Sequence, residues 1–160
     1  MDSILGIFRG KVLDNNDPQK LGRIKVEVYP FFREIKADVL PWAVPAMPLF
    51  TGAGDGKGSF CVPDIGSYVF VFFENGDMYQ PVYFAEAVSG KDLPQERMNN
   101  YPSKKIFKLS SGIVFEIDDK DKVVKLMHPS NAYVVIDGDG NIAISGTTVN
   151  INPEVKRNVW

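Results

Sequence analysis

"LGRIKVEVYP", residues 21–30, decides the fold class. Ile24, Val26 and Val28 fall on one side of an extended chain, and Arg23, Lys25 and Glu27 fall on the other. An apolar period of two marks a half-buried β-strand. Just upstream, "DNNDPQKLG" (14–22) is dense in turn-forming residues, and "GIFRGKVLD" (6–14) has the composition of another strand. The two strands are therefore expected to pair as antiparallel neighbours across a polar loop.

Strand signals continue downstream. "LPWAVPAMP" (40–48) holds Pro41, Pro45 and Pro48, which suits an edge strand or an extended segment because proline donates nothing to a ladder. "FTGAGDGKGSFCVPDIG" (50–66) is a long glycine-rich loop, and "SYVFVFFENGDMYQPVYFAEAV" (67–88) has the form of a hairpin turning at "NGD". Its first arm, Tyr68–Phe73, is apolar throughout and is expected to be buried on both faces. Residues 1–88 thus hold about five strands, a number that suits a small closed barrel. Helical spacing is not sustained in any window.

Residues 89–104, "SGKDLPQERMNNYPSK", are polar with two prolines and are expected to form a linker. Beyond them the style changes. "IFKLSSGIVFEIDD" (106–119), "KVVKLMH" (122–128), "AYVVIDGDG" (132–140), "NIAIS" (141–145) and "TVNIN" (148–152) are short strands between tight polar turns. Their apolar positions alternate: Ile113, Phe115 and Ile117, then Val124 and Leu126, Val134 and Ile136, Ile142 and Ile144, Val149 and Ile151. This stripe over residues 105–152 is too narrow to enclose a core alone. Two solutions remain open: wrapping with identical copies, or folding back onto the barrel as extra strands. Residues 153–160, "PEVKRNVW", form a C-terminal tail.

Composition narrows the function classes. A hydrophobic content of 44% supports a real core, and a net charge of −2 gives no overall basic footprint for nucleic acid. A single cysteine, Cys61, rules out an intrachain disulfide, and its neighbours Phe60 and Val62 make it a core candidate. "MDSILGIFRGKV" has neither a charged leader nor a long apolar run, so no signal peptide is expected, and the run Tyr68–Phe73 is too short to span a bilayer.

Chemical motifs fail on inspection. "GAGDGKGS" lacks the phosphate-loop pattern, since Thr51 stands where a glycine and Gly58 where a Ser or Thr would be needed. In "DGDGN", Asp137, Asp139 and Asn141 match the first calcium-loop ligands, but Ile142 and Thr148 occupy the glycine and glutamate positions. His128 is the only histidine, so no histidine-based metal cluster can form, and no nucleophile-elbow motif accompanies it. Glu74 and Asp77 flank a turn as ordinary solvated acids. Phe31, Phe32, Phe70, Phe72, Phe73, Tyr79, Tyr83 and Phe84 are many rings for one barrel, without the Lys/Arg density that base stacking requires. No enzyme activity, cofactor or metal is expected.

"DPQKLGRIKVEVYP", "WAVPAMP" and "PDIGSYVFVFFENGDMYQPVYF" together resemble the oligonucleotide/oligosaccharide-binding (OB) barrel of phage baseplate central-spike proteins and the related spikes of type VI secretion. The matching positions are Asp17, Pro18, Gly22, Arg23, Lys25, Val26, Trp42, Pro45, Pro63, Gly66, Val69, Val71, Phe73, Glu74, Gly76, Asp77 and Pro81. "SSGIVFEIDDKDKVVKLMHPSNAYVVIDGDGNIAIS" is similar to the segment where that barrel passes into a trimeric β-helix or β-prism. The sixteen-residue linker leaves no room for the lysozyme domain some relatives insert, and a chain with one histidine cannot carry the His-x-His apex of others.

The resemblance implies an all-β chain: a five-stranded OB barrel (1–88), then a short intertwined trimeric β-helix or β-prism (105–152). It implies a structural role as the central spike or hub of a contractile-tail baseplate, joining the tail tube to a membrane-piercing needle. Expected partners are two further copies, the tail-tube or hub and spike-tip proteins and, transiently, the host envelope; the expected place is the virion, after synthesis in the host cytoplasm. The trimer core would be Ile113, Phe115, Ile117, Val124, Leu126, Val134, Ile136, Ile142, Ile144, Val149 and Ile151. Hub contact would use Phe70, Phe72, Tyr79, Tyr83 and Trp42. The alternative is a binding module whose barrel takes nucleic acid or glycan, although no nucleic acid is expected as a partner of a spike.

Overall fold

A computed structural model describes residues 4–48, 52 and 54–151. The tail 153–160, with Trp160, and Asn152 lie outside the described residues. The chain divides into two compact units, Met1–Lys91 and Asp92–Trp160.

The first unit is a closed barrel of β1 (Phe8–Asp14), β2 (Ile24–Val28), β3 (Trp42–Pro45), β4 (Tyr68–Phe73) and β5 (Pro81–Glu86), in the order β1-β2-β3-β5-β4. Closure leaves no open sheet edge in these strands. β1 and β2 pair antiparallel from Gly10↔Val28 to Asp14↔Lys25, and β1 also pairs with β4 from Phe8↔Val71 to Lys11↔Tyr68. The only parallel contact is β3 with β5, Val44↔Val82. Period two then does its work. Val12, Ile24, Val26, Val28, Val69, Val71 and Phe73 point inward and are buried, joined by Phe32, Leu40, Ala43 and Tyr83. Phe8, Phe31, Phe32 and Phe73 pack together, with Phe8 and Phe31 edge to face at 4.9 Å. β1 bears on both neighbours at Gly10, where a Cβ would come within 2.3 Å of Val26 Cγ1.

Several expectations change here. β3 is not an edge strand: it is closed in on both sides. It escapes the proline problem by being four residues long, with Pro41 before it and Pro45 at its end. β4 is buried on one face only; Val69, Val71 and Phe73 are inside, whereas Tyr68, Phe70 and Phe72 face outward. Apolar residues on both faces of a barrel strand need a second layer, and the barrel supplies only an interior. Cys61 is exposed and not in the core, because it sits in the loop between β3 and β4 and not in a strand. The β4–β5 connection runs through a 3-10 turn, Glu74–Gly76, with Asn75 at φ 54°, and is longer than a tight hairpin turn.

The second unit is one antiparallel meander: β6 (Lys104–Lys108), β7 (Val114–Asp118), β8 (Val123–Met127), β9 (Tyr133–Ile136) and β10 (Ile142–Ser145), in chain order. Residues 106–119 are not one strand. Gly112, at φ 86°, donates to the Leu109 carbonyl and folds them into the β6–β7 hairpin. Residues 147–151 form no strand, so Val149 and Ile151 keep their alternation without a ladder. Within the chain each of these strands hydrogen-bonds to its sequence neighbour, and β6 and β10 are the two edge strands of the sheet. Residues 92–103 are no loose linker either. A 3-10 turn, Gln95–Met98, packs on β6, Glu96 pairs with Lys108 at 2.6 Å, and Asn100 donates to Asp118 at 2.9 Å.

Candidate functional site

Register fixes what each side of the meander presents. Directly opposed residues share a face, and so do residues two apart along a strand. Phe107, Phe115, Leu126, Val134 and Ile144 therefore form one row across all five strands, and Ile117, Val124, Ile136 and Ile142 form the next, ending in Lys105 on β6. Together they make a continuous apolar face. Its members are open to solvent in the single chain: Phe107 is 69% exposed, Leu126 49%, Ile142 65% and Ile144 52%. Isolated surface apolar residues are ordinary, but a contiguous face of this kind marks an interaction site.

Of the residues expected to line a trimer core, Phe115, Ile117, Val124, Leu126, Val134, Ile136, Ile142 and Ile144 are brought together on this face. Ile113 precedes β7, and Val149 and Ile151 lie past β10. Phe107 belongs to the face and was missed, because only the β6–β7 register reveals that it opposes Phe115; their rings lie 6.5 Å apart.

The reverse face is built differently. Val114, Glu116 and Asp118 are buried there. Lys104 reaches Glu116 at 2.5 Å and Asp118 at 3.5 Å, and Lys125 reaches Glu116 at 3.4 Å. The Glu116 carboxylate raises the Lys104 pKa, and the Asn100 amide, followed by backbone donors and Lys104, lowers that of Asp118. Over β6–β8 the reverse side is thus satisfied by its own chain, and the apolar side is not.

In the barrel, five of the residues singled out by resemblance, Asp17, Gly22, Arg23, Lys25 and Trp42, converge at the β1–β2 loop and the strands beside it. The buried Asp17 carboxylate accepts from the backbone N–H groups of Gln19, Leu21 and Arg23 and from two nitrogens of the Arg23 guanidinium, one at 2.7 Å. That guanidinium holds its pKa far below the usual carboxylate range. Arg23 and Lys25 both lie against the Trp42 ring, at 5.4 and 5.0 Å, and the Lys25 ammonium donates to the Asp38 carbonyl at 2.8 Å. Gly22, at φ 76°, sits where a Cβ would press Phe60 at 3.1 Å, and its carbonyl accepts from the Tyr83 hydroxyl at 2.6 Å. The cluster is a loop anchor. Its cations are already engaged by the chain itself, on the β2–β3 side that OB folds use for oligonucleotides.

Tyr83 is therefore corrected as a contact residue. It is 5% exposed and points inward, since it alternates with the outward Val82 and Phe84. Phe70, Phe72 and Phe84 gather on the outer wall instead, with Phe70 and Phe84 stacked at 6.2 Å and Tyr79 exposed nearby in the β4–β5 loop. Elsewhere, Asp137 spends its carboxylate on Asp139 N–H and on two nitrogens of Asn141, closing the β9–β10 turn. His128 Nδ1 lies 2.8 Å from Ser130 Oγ in an exposed turn. Among the described residues no group of three or more His, Cys, Asp or Glu could hold a metal ion.

Residues 8–86, the whole of this barrel, match the model of the type VI secretion system/phage-baseplate injector OB domain. The barrel of this chain is an injector OB domain. The match covers the barrel, a little under half of the chain, and supports a structural role in a baseplate or injector. No curated protein matches the chain.

Proposed function

We infer that three copies of the chain turn the apolar faces of β6–β10 to a common axis. The resulting rod would be prism-like, each side one chain's meander, with the edge strands β6 and β10 adjoining those of the neighbouring copies. The chain then serves as the trimeric central spike or hub of a contractile-tail baseplate, joining tail tube to needle. The observation that carries this is the apolar face itself: nine aliphatic and aromatic side chains in two rows, most of them left exposed by the described residues of their own chain. Each one that passes from half-exposed to buried contributes on the order of 1–2 kcal/mol, so threefold packing is strongly favourable.

The work done is mechanical. Short rungs stacked along an axis around a shared dry interior resist local opening and transmit axial force against an envelope. Phe70, Phe72, Tyr79 and Trp42 on the barrel exterior would meet the tail-tube or hub protein, and the far end of the rod would meet a spike-tip protein. Transient contact with a host envelope, a place in the virion and synthesis in the host cytoplasm belong to the same reading. No catalytic step and no cofactor enter it.

Two neighbouring residues on β10 test it. Ile142 is on the apolar face and Ala143 on the reverse one. Ile142→Asp is expected to reduce the mass measured by analytical ultracentrifugation from three chains to one, with the barrel still folded; Ala143→Asp is expected to leave three. Equal behaviour of the two variants would sink the assignment of the face.

A further inference from the structure

The barrel's outer wall has a feature that closure of the sheet does not explain. Phe72, Val82 and Val44 form a straight row across β4, β5 and β3. Beside it, Phe84 fills the space between Phe70 and Phe72, at 6.2 and 6.0 Å between ring centres. Val44 is 50% exposed and Phe84 37%. The Arg9 guanidinium lies over Phe70 at 5.3 Å. Directly opposed to Phe70 on β1, Arg9 is exposed and has no carboxylate partner among the described residues. Every other arginine with a described role here is committed: Arg23 to Asp17, Arg33 to Glu34, and Arg97 to the carbonyls of Leu93 and Pro94.

An aromatic cluster with one arginine held flat upon it is the composition of a binding hot spot. The rings offer apolar area at little entropic cost, and the guanidinium offers a fork for a carboxylate. A nucleic-acid strand would need a track of cations along the rings; this face of β1 carries two, Arg9 and Lys11, and Lys11 stands opposite Glu27 on β2, away from the Phe70–Phe84 stack. We propose that this ridge docks an extended segment of another baseplate polypeptide, in which an Asp or Glu adjoins aliphatic or aromatic side chains, the carboxylate pairing with Arg9 and the apolar residues lying on Phe70, Phe72, Phe84 and Val44. The proposal rests on the baseplate reading and specifies the chemistry of its lateral partner.

Random displayed peptides selected against the full chain provide the test, with Arg9→Glu and Phe84→Ser as parallel targets. The wild-type chain is expected to enrich sequences with an acid beside an apolar residue. Arg9→Glu, a surface change away from the core, is expected to shift enrichment to Lys or Arg, and Phe84→Ser to weaken the wild-type peptides by about tenfold or more. Enrichment indifferent to both substitutions, or none at all, overturns the proposal. So does loss of native mass in Phe84→Ser, which would assign the ridge to contact between copies. Salt-dependent retention of a single-stranded oligonucleotide that Phe84→Ser abolishes would also overturn it. A wild-type chain that is monomeric yet passes the peptide test would sink the trimer and leave the ridge standing.

Discussion

Two side chains fix how the barrel's first loop is held, and each has a pH signature. Asp17 gathers five donors, so a neutral amide in its place would set donor against donor. Its folded pKa lies below its unfolded one. The stability it adds is present above the ordinary carboxylate value of about 4 and fades as pH falls below that. Asp17→Asn is therefore expected to lower the melting temperature at pH 7 and to flatten its decline in acid. Tyr83 works at the other end of the scale. Burial pushes its hydroxyl up to about 12, so its contribution is complete below pH of about 10 and is lost between about 10 and 12. Tyr83→Phe forfeits the bond to Gly22, about 1 kcal/mol by urea titration at pH 7, and should remove Tyr83's share of that alkaline loss. The sequence marked Asp17, Gly22, Arg23, Lys25 and Trp42 as matching positions, yet that they meet in one cluster was not legible. Their contacts depend on where a loop of turn formers folds, and no periodicity encodes that. Cys61 misled for the same reason: apolar neighbours mean burial in a strand and little in a loop.

Strands were legible where alternation was clean and partners were near. β2, β8, β9 and β10 stand where period two places them, and β1 stands where composition suggested a strand. Failures came where a pattern outran its ladder. Ser110–Gly112 hid a turn inside an apolar stretch, and Val149 and Ile151 alternate with nothing beside them. The outward rings of β4 were read as buried because sequence gives apolarity without saying which side has a neighbour. Residues 89–104 looked like a linker by composition, but an ion pair from Glu96 to β6 and a hydrogen bond from Asn100 to β7 seat part of them on the sheet. Two comparisons probe this scale. Gly10→Ala would drive a methyl into Val26 and is expected to cost about 1–3 kcal/mol on chemical denaturation. Lys104→Met strips the nearest cation from the buried Glu116, whereas Lys105→Met removes only an exposed pair with Asp119. The first should lower the melting temperature clearly, and the second should change stability by under about 0.5 kcal/mol.

At the scale of the whole molecule, the two units bury apolar residues in opposite ways. The barrel closes on itself and dries its own core. The meander pairs its three inner strands on both sides, ties β6–β8 together with ion pairs on one face and leaves the other face greasy. That asymmetry is visible in the sequence as a stripe too thin for a core, but which surface would cover it depends on register, which only the fold supplies. Light scattering of the intact wild-type chain over a dilution series tests this most directly. The expected result is a mass of three chains that persists on dilution; a mass of one chain, with the apolar face stably open to water, would contradict it.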